Sequence, residues 1–309
     1  MSQSLVSVVI IFLNGERFID EAVESVFAQT YGHWELTLVD DGSTDRSSSI
    51  ARQFAASFPE RVRYLEHPGR ENLGMSASRN RGVRESSGDY VALLDADDVW
   101  LPDNLEAQVS MLDAQPAAAM VYGPAEWWYS WTGAAQDHPR DFVHELGVPP
   151  DRLIPPPLLL IRLLDDEGIS PCTGSMLIRR EVFDRVGGFE EKFRGLYEDQ
   201  AFFAKVCLDS TVMASGTCAL RYRQHPASAL YVADRNGSRL AARASFLDWL
   251  SSYVAASGVS DPELWRTVDR ERLRLSNQPR TRIRGGMRVV ERALRSAALR
   301  VSGGRHGDR

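Results

Sequence analysis

Four strand-like segments, separated by three stretches with helical spacing, fill the first ninety-five residues and constrain this chain more than any other feature. Val6–Phe12 (VSVVIIF) is an unbroken β-branched and apolar run, the pattern of a strand buried on both faces. Residues 18–29 follow with Phe18, Ile19, Ala22, Val23, Val26 and Phe27 at helical intervals. Residues 34–39 read as a second strand. Residues 45–58 read as a second helix, with Ser43, Thr44 or Asp45 as its N-cap. Residues 62–66 give a third strand, 76–85 a third helix and 90–94 a fourth strand. This β-α-β-α-β-α-β order predicts an α/β fold with a mostly parallel central sheet and helices on both faces.

In such sheets, ligands bind beyond the carboxyl ends of the strands. The polar clusters fall there: Asn14 and Glu16 after the first strand, Asp40 and Asp41 after the second, and Asp95, Asp97 and Asp98 after the fourth. Three strands thus deliver acidic or amide groups to one edge.

Asp95 and Asp97, at alternate positions, can face one cation where the chain leaves the sheet, and hard oxygen ligands suit Mg²⁺ or Mn²⁺. A solvated acidic turn has the same letters, but the place at the end of an apolar strand favours the cation. Asp40-Asp41-Gly42-Ser43 suits hydrogen bonds to a nucleobase or ribose, or plain helix capping. Residues 72–80 put Gly74 in a loop and Arg79 in the first turns of a helix, where a guanidinium reaches either phosphate or water. Glu198-Asp199 opens a helix, as a general base or as acids favoured by the helix dipole. His225, after a predicted strand, is either a third metal ligand or a structural imidazole. Trp127, Trp128, Tyr129 and Trp131 are too crowded to be buried together on one strand face. At least one should be exposed, where its ring can stack on a sugar.

Further along, residues 102–118 predict a helix and 132–157 a long surface loop. Residues 172–189 predict mixed pieces around Gly174-Ser175, residues 197–208 a helix, 212–223 strands, and only helix beyond about 235.

Read together, these pieces resemble the family 2 glycosyltransferases, whose catalytic domain has the GT-A (nucleotide-diphospho-sugar transferase) fold. The matching text is VSVVIIFLNGERFIDEAVESVFAQTYGHWELTLVDDGSTD, ENLGMSASRNRGVRESSGDYVALLDADDVWLP, RREVFDRVGGFEEKFRGLYEDQAF and YRQH, in that order over about residues 5–230. The resemblance implies a GT-A catalytic domain at 1–230 and a helical C-terminal extension at 231–309. It implies inverting transfer from a nucleotide-diphosphate sugar, a UDP-sugar favoured, to a saccharide or lipid-linked acceptor in cell-surface polysaccharide or glycolipid synthesis, with Mn²⁺ or Mg²⁺ as cofactor. The family's nucleotide-contacting acid falls on Asp41 beside Asp40, and its loop arginine on Arg79. Its DxD motif falls on Asp95 and Asp97, with Asp95 near the ribose and Asp97 on the metal beside His225. Its ED motif falls on Glu198 and Asp199, with Asp199 as base. The donor site would also take in Phe12, Asn14, Glu16, Asn72, Gly74 and Ala96, and the acceptor site Trp127, Trp128, Gly174 and Ser175. Many members carry an aromatic just before the first-loop Asn; here that position is Leu13. A nucleotidyltransferase would want a Gly-rich, Lys-bearing first loop, which Asn14-Gly15-Glu16-Arg17 does not provide. A non-catalytic sugar-binding protein would not need the intact DxD, ED and His set.

A net charge of −6 argues against a nucleic-acid partner. Three cysteines without CxxC spacing suit a reducing compartment. The start lacks a basic leader, and no apolar run reaches the ~20 residues of a spanning helix. These features predict a cytoplasmic protein. Nine arginines against Glu291 and Asp308 mark residues 280–309. Ile283, Met287, Val290, Leu294, Ala297 and Val301 recur there at helical spacing, which predicts a basic amphipathic helix touching a membrane surface through residues 280–301.

Overall fold

The computed structural model describes residues 3–165 and 170–277, so the expected helix over 280–301 lies outside the described residues. The first half alternates as expected: β1 (Val6–Phe12), α1 (Ile19–Phe27), β2 (Trp34–Asp40), α2 (Ser47–Ser57), β3 (Val62–Glu66), α3 (Met75–Arg84) and β4 (Tyr90–Asp95). Then come β5 (Val99–Trp100), α4 (Asn104–Ala114), β6 (Met120–Tyr122), β7 (Ala125–Trp128), β8 (Phe142–Val143), β9 (Leu153–Ile154) and α5 (Leu158–Leu164). The chain ends in β10 (Met176–Arg179), α6 (Arg180–Arg185), α7 (Glu198–Asp209), β11 (Val212–Ala214), β12 (Leu220–Arg223), α8 (Ala229–Asn236), α9 (Arg239–Ala256) and α10 (Pro262–Ser276).

Among the described residues the main sheet has eight strands in the order β3-β2-β1-β4-β10-β6-β11-β9. β3, β2, β1 and β4 are mutually parallel, while β10 runs antiparallel to both β4 and β6. The period of two explains why β1 is apolar throughout. Val6, Val8, Ile10 and Phe12 enter the core beneath α1 and α2, while Val9 and Ile11 enter the core on the other face. The chain first steps outward from β1 to β3 and then returns past β1 to β4. The strand order therefore reverses between β1 and β4, which opens a ligand crevice at their carboxyl ends. On the return, α3 lies tight against the sheet, because a Cβ on Gly82 would stand 2.3 Å from Val9 Cγ1.

A second sheet, β5-β12-β7-β8, stands beside that crevice. The 132–157 loop thus carries two short strands, β8 in the small sheet and β9 on the edge of the large one. The helices after residue 231 have no core of their own. Phe246, Leu250, Val254, Leu264 and Val268 join the same buried cluster as Val9, Phe202 and Phe203. A boundary at 230/231 therefore cuts through one continuous core. No helix of the described residues is long and apolar enough to cross a membrane.

Candidate active site

The loop after β1 is sewn to the turn after β2. Asn14, at φ 53, accepts the N–H groups of Thr44 and Asp45 at 2.8 and 3.3 Å, and its own N–H donates to Ser43 Oγ. Glu16 accepts the Arg46 N–H at 3.0 Å. Asp45, one residue before the formal cap of α2, accepts the Ser47 N–H. Asp40 is wholly buried. It accepts the Ser43 N–H at 2.7 Å and the hydroxyls of Ser48 and Tyr64. Burial works to raise its pKa, but those donors outweigh burial and hold it below the usual carboxylate range. Asp41 accepts the N–H groups of Leu73 and Gly74 at 2.8 and 3.0 Å, with His67 Nε2 at 3.6 Å. The Asn72–Gly74 loop is thereby tied to the end of β2, and Arg194 bonds the Asn72 carbonyl from outside at 2.7 Å.

Beyond β4 the acids divide by partner. Asp95 receives Arg79 Nη2 at 2.7 Å, and the same guanidinium reaches Glu198 at 3.4 Å through Nη1. Arg79 is buried, so its solvation is lost. The flanking carboxylates more than compensate and raise its pKa. Arg79 Nε and Glu198 Oε2 are buried without a partner among the described residues. Asp97 faces His225 Nε2 at 2.9 Å, across 128 positions of sequence, and stays partly open to solvent. Asp98 points inward and accepts the Arg223 N–H at 2.9 Å. Burial, then the neighbouring Asp97 and Asp95, push its pKa well above the usual carboxylate range. Ala96, between them, is buried.

Asp199 opens α7 half-buried, with one oxygen accepting the Gln200 N–H at 2.7 Å. Burial first, and then Glu198, push its pKa up to about 7. A carboxylate poised near neutrality is suited to take a proton.

On the second sheet the aromatics form two groups. Trp127 stacks on Phe142 at 5.6 Å and meets His144 and Tyr222 edge-on. Trp128 and Trp131 flank the Arg223 guanidinium at 4.5 and 5.3 Å, and Phe18, in the same group, leans on His225 at 5.1 Å.

The sequence profile of glycosyl transferase family 2 matches residues 7–187, more than half of the chain. This chain belongs to that family. Over 108 residues it is 40% identical to the putative glycosyltransferase EpsE of Bacillus subtilis, covering 35% of this chain and 38% of that one. Over 112 residues it is 35% identical to WfgD of Escherichia coli, named a UDP-Glc:α-D-GlcNAc-diphosphoundecaprenol β-1,3-glucosyltransferase, covering 36% and 42%. The matches thus span less than half the length of these curated relatives. Among solved structures, the mannosyltransferase PcManGT from Pyrobaculum calidifontis, in complex with GDP-Man and Mn²⁺, superposes with a TM-score of 0.58 at 20% identity, over 96% of this chain and 79% of that one. TarS of S. aureus in complex with UDP gives 0.54 at 18% identity, over 74% and 63%. These likenesses establish the GT-A fold.

Four of the expected site residues are buried or already engaged by protein groups. Phe12 is packed in the core under α1, and the side chain exposed at the end of β1 is Leu13. Arg79 is engaged by Asp95 and Glu198. Gly174 and Ser175 are both buried. The Gly174 carbonyl accepts Trp100 Nε1 at 2.6 Å, and a Cβ on Gly174 would press on Leu220 at 3.1 Å. None of Trp127, Trp128, Tyr129 and Trp131 is fully exposed or fully buried, because Arg side chains and other rings cover them in part. Sequence reasoning passed over Arg223, which binds Asp98, the Asp97 carbonyl and Glu21. Strand alternation gave no signal for it, because it puts Arg223 on the same face as the part-exposed Arg221 and opposite Leu220.

Proposed function

We propose that this chain is an inverting glycosyltransferase that moves a sugar from a nucleotide-diphosphate sugar, UDP-sugars favoured, to a hydroxyl of a saccharide or lipid-linked acceptor. Cell-surface polysaccharide or glycolipid synthesis is the setting that suits such acceptors. The observation that carries this reading is that Arg79 joins Asp95, two residues from the Asp97–His225 couple, to Glu198, the neighbour of Asp199, so that both acids belong to one cluster.

The donor set fits a divalent cation. One carboxylate and one imidazole nitrogen face the same point, and oxygen and nitrogen ligands suit Mn²⁺ or Mg²⁺. Among the described residues no group of three or more His, Cys, Asp or Glu side chains is placed to hold a metal ion, so diphosphate oxygens would have to complete the shell. Such an ion would offset the charge gathering on the leaving diphosphate. The nucleoside would lie along the crevice at Asn14, Glu16, Asp41 and the Asn72–Gly74 loop, with Asp95 and Ala96 at the ribose. Asp199 would take the proton from the acceptor hydroxyl as the anomeric carbon changes partner, and one displacement inverts that centre. Trp127 and Trp128, on the second sheet, offer half-open ring faces to an acceptor sugar.

Thermal-shift titration with UDP, GDP and TDP, each with and without Mn²⁺, tests the reading. The expected result is stabilisation by one nucleoside diphosphate that needs Mn²⁺ and disappears in Asp97→Ala and His225→Ala. A response to none of the nucleotides would leave the donor assignment without support.

A further inference from the structure

The Glu198-Asp199 pair is entered through a strained residue. Tyr197 has φ 67 and ψ 7, in the left-handed region, where an aromatic residue is a genuine outlier. The other described non-glycine residues with positive φ are Asn14, Arg70 and Asp151. Tyr197 is the N-cap of α7, and its carbonyl accepts the Ala201 N–H at 2.9 Å. Its backbone therefore sets the direction in which α7 leaves, and with it the aim of Glu198 and Asp199. A conformation this unfavourable persists only where the surroundings over-determine it.

Those surroundings come from α9. The Tyr197 ring stacks on Phe246 at 5.3 Å and 17°. Arg243, one turn earlier on α9, reaches the Tyr197 hydroxyl and also Glu271 of α10. One turn later, Trp249 meets Phe193 edge-on at 5.6 Å. Arg243, Phe246 and Trp249 recur every three residues, so one face of α9 grips the segment that delivers the acidic pair.

We infer that α9 is the rear strut of the catalytic base: Tyr197, Phe246 and Arg243 are positioning residues that hold Asp199 in its working orientation. The inference rests on the reading of Asp199 as base. It gives the C-terminal helices a role in the transfer step, although they lie outside the stretch that matches the family profile.

The test uses the full chain carrying Phe246→Leu, which keeps an apolar group but loses the ring stack, and Tyr197→Phe, which keeps the stack. Transfer kinetics, Mn²⁺-dependent nucleotide affinity, melting temperature and hydrogen exchange are measured on each. Phe246→Leu is expected to lower kcat by about 10- to 100-fold, as a displaced catalytic group does. Its nucleotide affinity should stay within about twofold, because the donor groups are untouched. Amides 193–201 should exchange faster while those of β1 and β4 do not, and Tyr197→Phe, which keeps the ring stack but loses the Arg243 contact, should lower kcat in the same direction by less than Phe246→Leu does. Unchanged exchange over 193–201 would overturn the strut whatever the base turns out to be. So would an equal fall of kcat and nucleotide affinity alongside melting temperature, since that marks general loosening. Retention of transfer by Asp199→Asn would instead remove the base assignment, and the exchange result would still decide whether α9 holds this segment.

Discussion

Replacing Asp199 by Asn should abolish transfer and yet make the protein more stable, by an amount that depends on pH. The folded state raises this carboxyl from 3.8 to about 7, chiefly by burial and then by Glu198. The native state therefore binds the proton more tightly than the unfolded chain. Stability is lost as pH rises from about 4 to about 7, and the full cost is present above that window. At pH 8 the shift of roughly three units corresponds to about 4 kcal/mol, at ~1.36 kcal/mol per unit. At pH 5 the native group is protonated, and roughly 1 to 2 kcal/mol remains. An amide cannot ionise, so the gain from Asp199→Asn should be about 2 to 3 kcal/mol larger at pH 8 than at pH 5. For a chain of this size that corresponds to roughly 5–10 °C in melting temperature. Thermal melts of wild type and variant at the two pH values give the difference directly, and nucleotide binding should be the same in both proteins. An equal shift in melting temperature at pH 5 and pH 8 would show that Asp199 does not titrate near neutrality. Retained transfer would show that it is not the base.

Three further outcomes follow from the same geometry. In wild type, kcat/KM should fall as pH drops below about 7, because the base must be charged to accept a proton; a flat profile from pH 5 to 8 contradicts the tuned carboxyl. Arg79→Met should destabilise the fold by about 3 to 5 kcal/mol, since it leaves Asp95 and Glu198 facing each other with no cation between them. A melting temperature within a degree or two of wild type, with only donor affinity reduced, would return Arg79 to the role of a phosphate ligand. Trp127→Ala should raise the acceptor KM about tenfold and leave the donor KM unchanged, while Trp127→Phe should fall between; an unaffected acceptor KM removes this ring from the acceptor site.

The sheet was legible in the sequence because β1 and β4 are buried on both faces, which leaves apolar runs, and because helical spacing separates the strands between them. β8 and β9 were not legible. Each has two residues and owes its existence to a neighbour, β7 or β11, rather than to its own pattern. The helix α5 was missed for a related reason, since Leu158–Leu164 is a short apolar run in which helix and strand look alike. Of the site, Asp40, Asp41, Asp95 and Asp97 were found by their place at strand ends. What they do there depends on partners far along the chain: Arg79 binds Glu198 across 119 positions, and Asp97 meets His225 across 128. Periodicity carries no information about such pairs. The left-handed turn at Tyr197 was equally invisible, because a tyrosine in sequence suggests no such conformation.

Those partners bear on how an edge so rich in carboxylates would receive the anionic diphosphate of the proposed donor. Carboxylates left uncompensated within one crevice would repel the donor and one another. Asp40 and Asp41 instead accept hydrogen bonds from the loops that shape the crevice. Asp95 and Glu198 share one buried guanidinium. Asp98 is turned inward onto the Arg223 N–H, and burial favours its neutral form. Asp97 and Asp199 make no ion pair with a lysine or arginine among the described residues. Asp97 keeps the imidazole of His225 beside it, and Asp199 keeps a proton until the pH passes about 7. The two are the same residue type. Their different roles follow from what surrounds each, and substitutions at Arg79, Arg223 or Phe246 should therefore alter the chemistry without touching either acid.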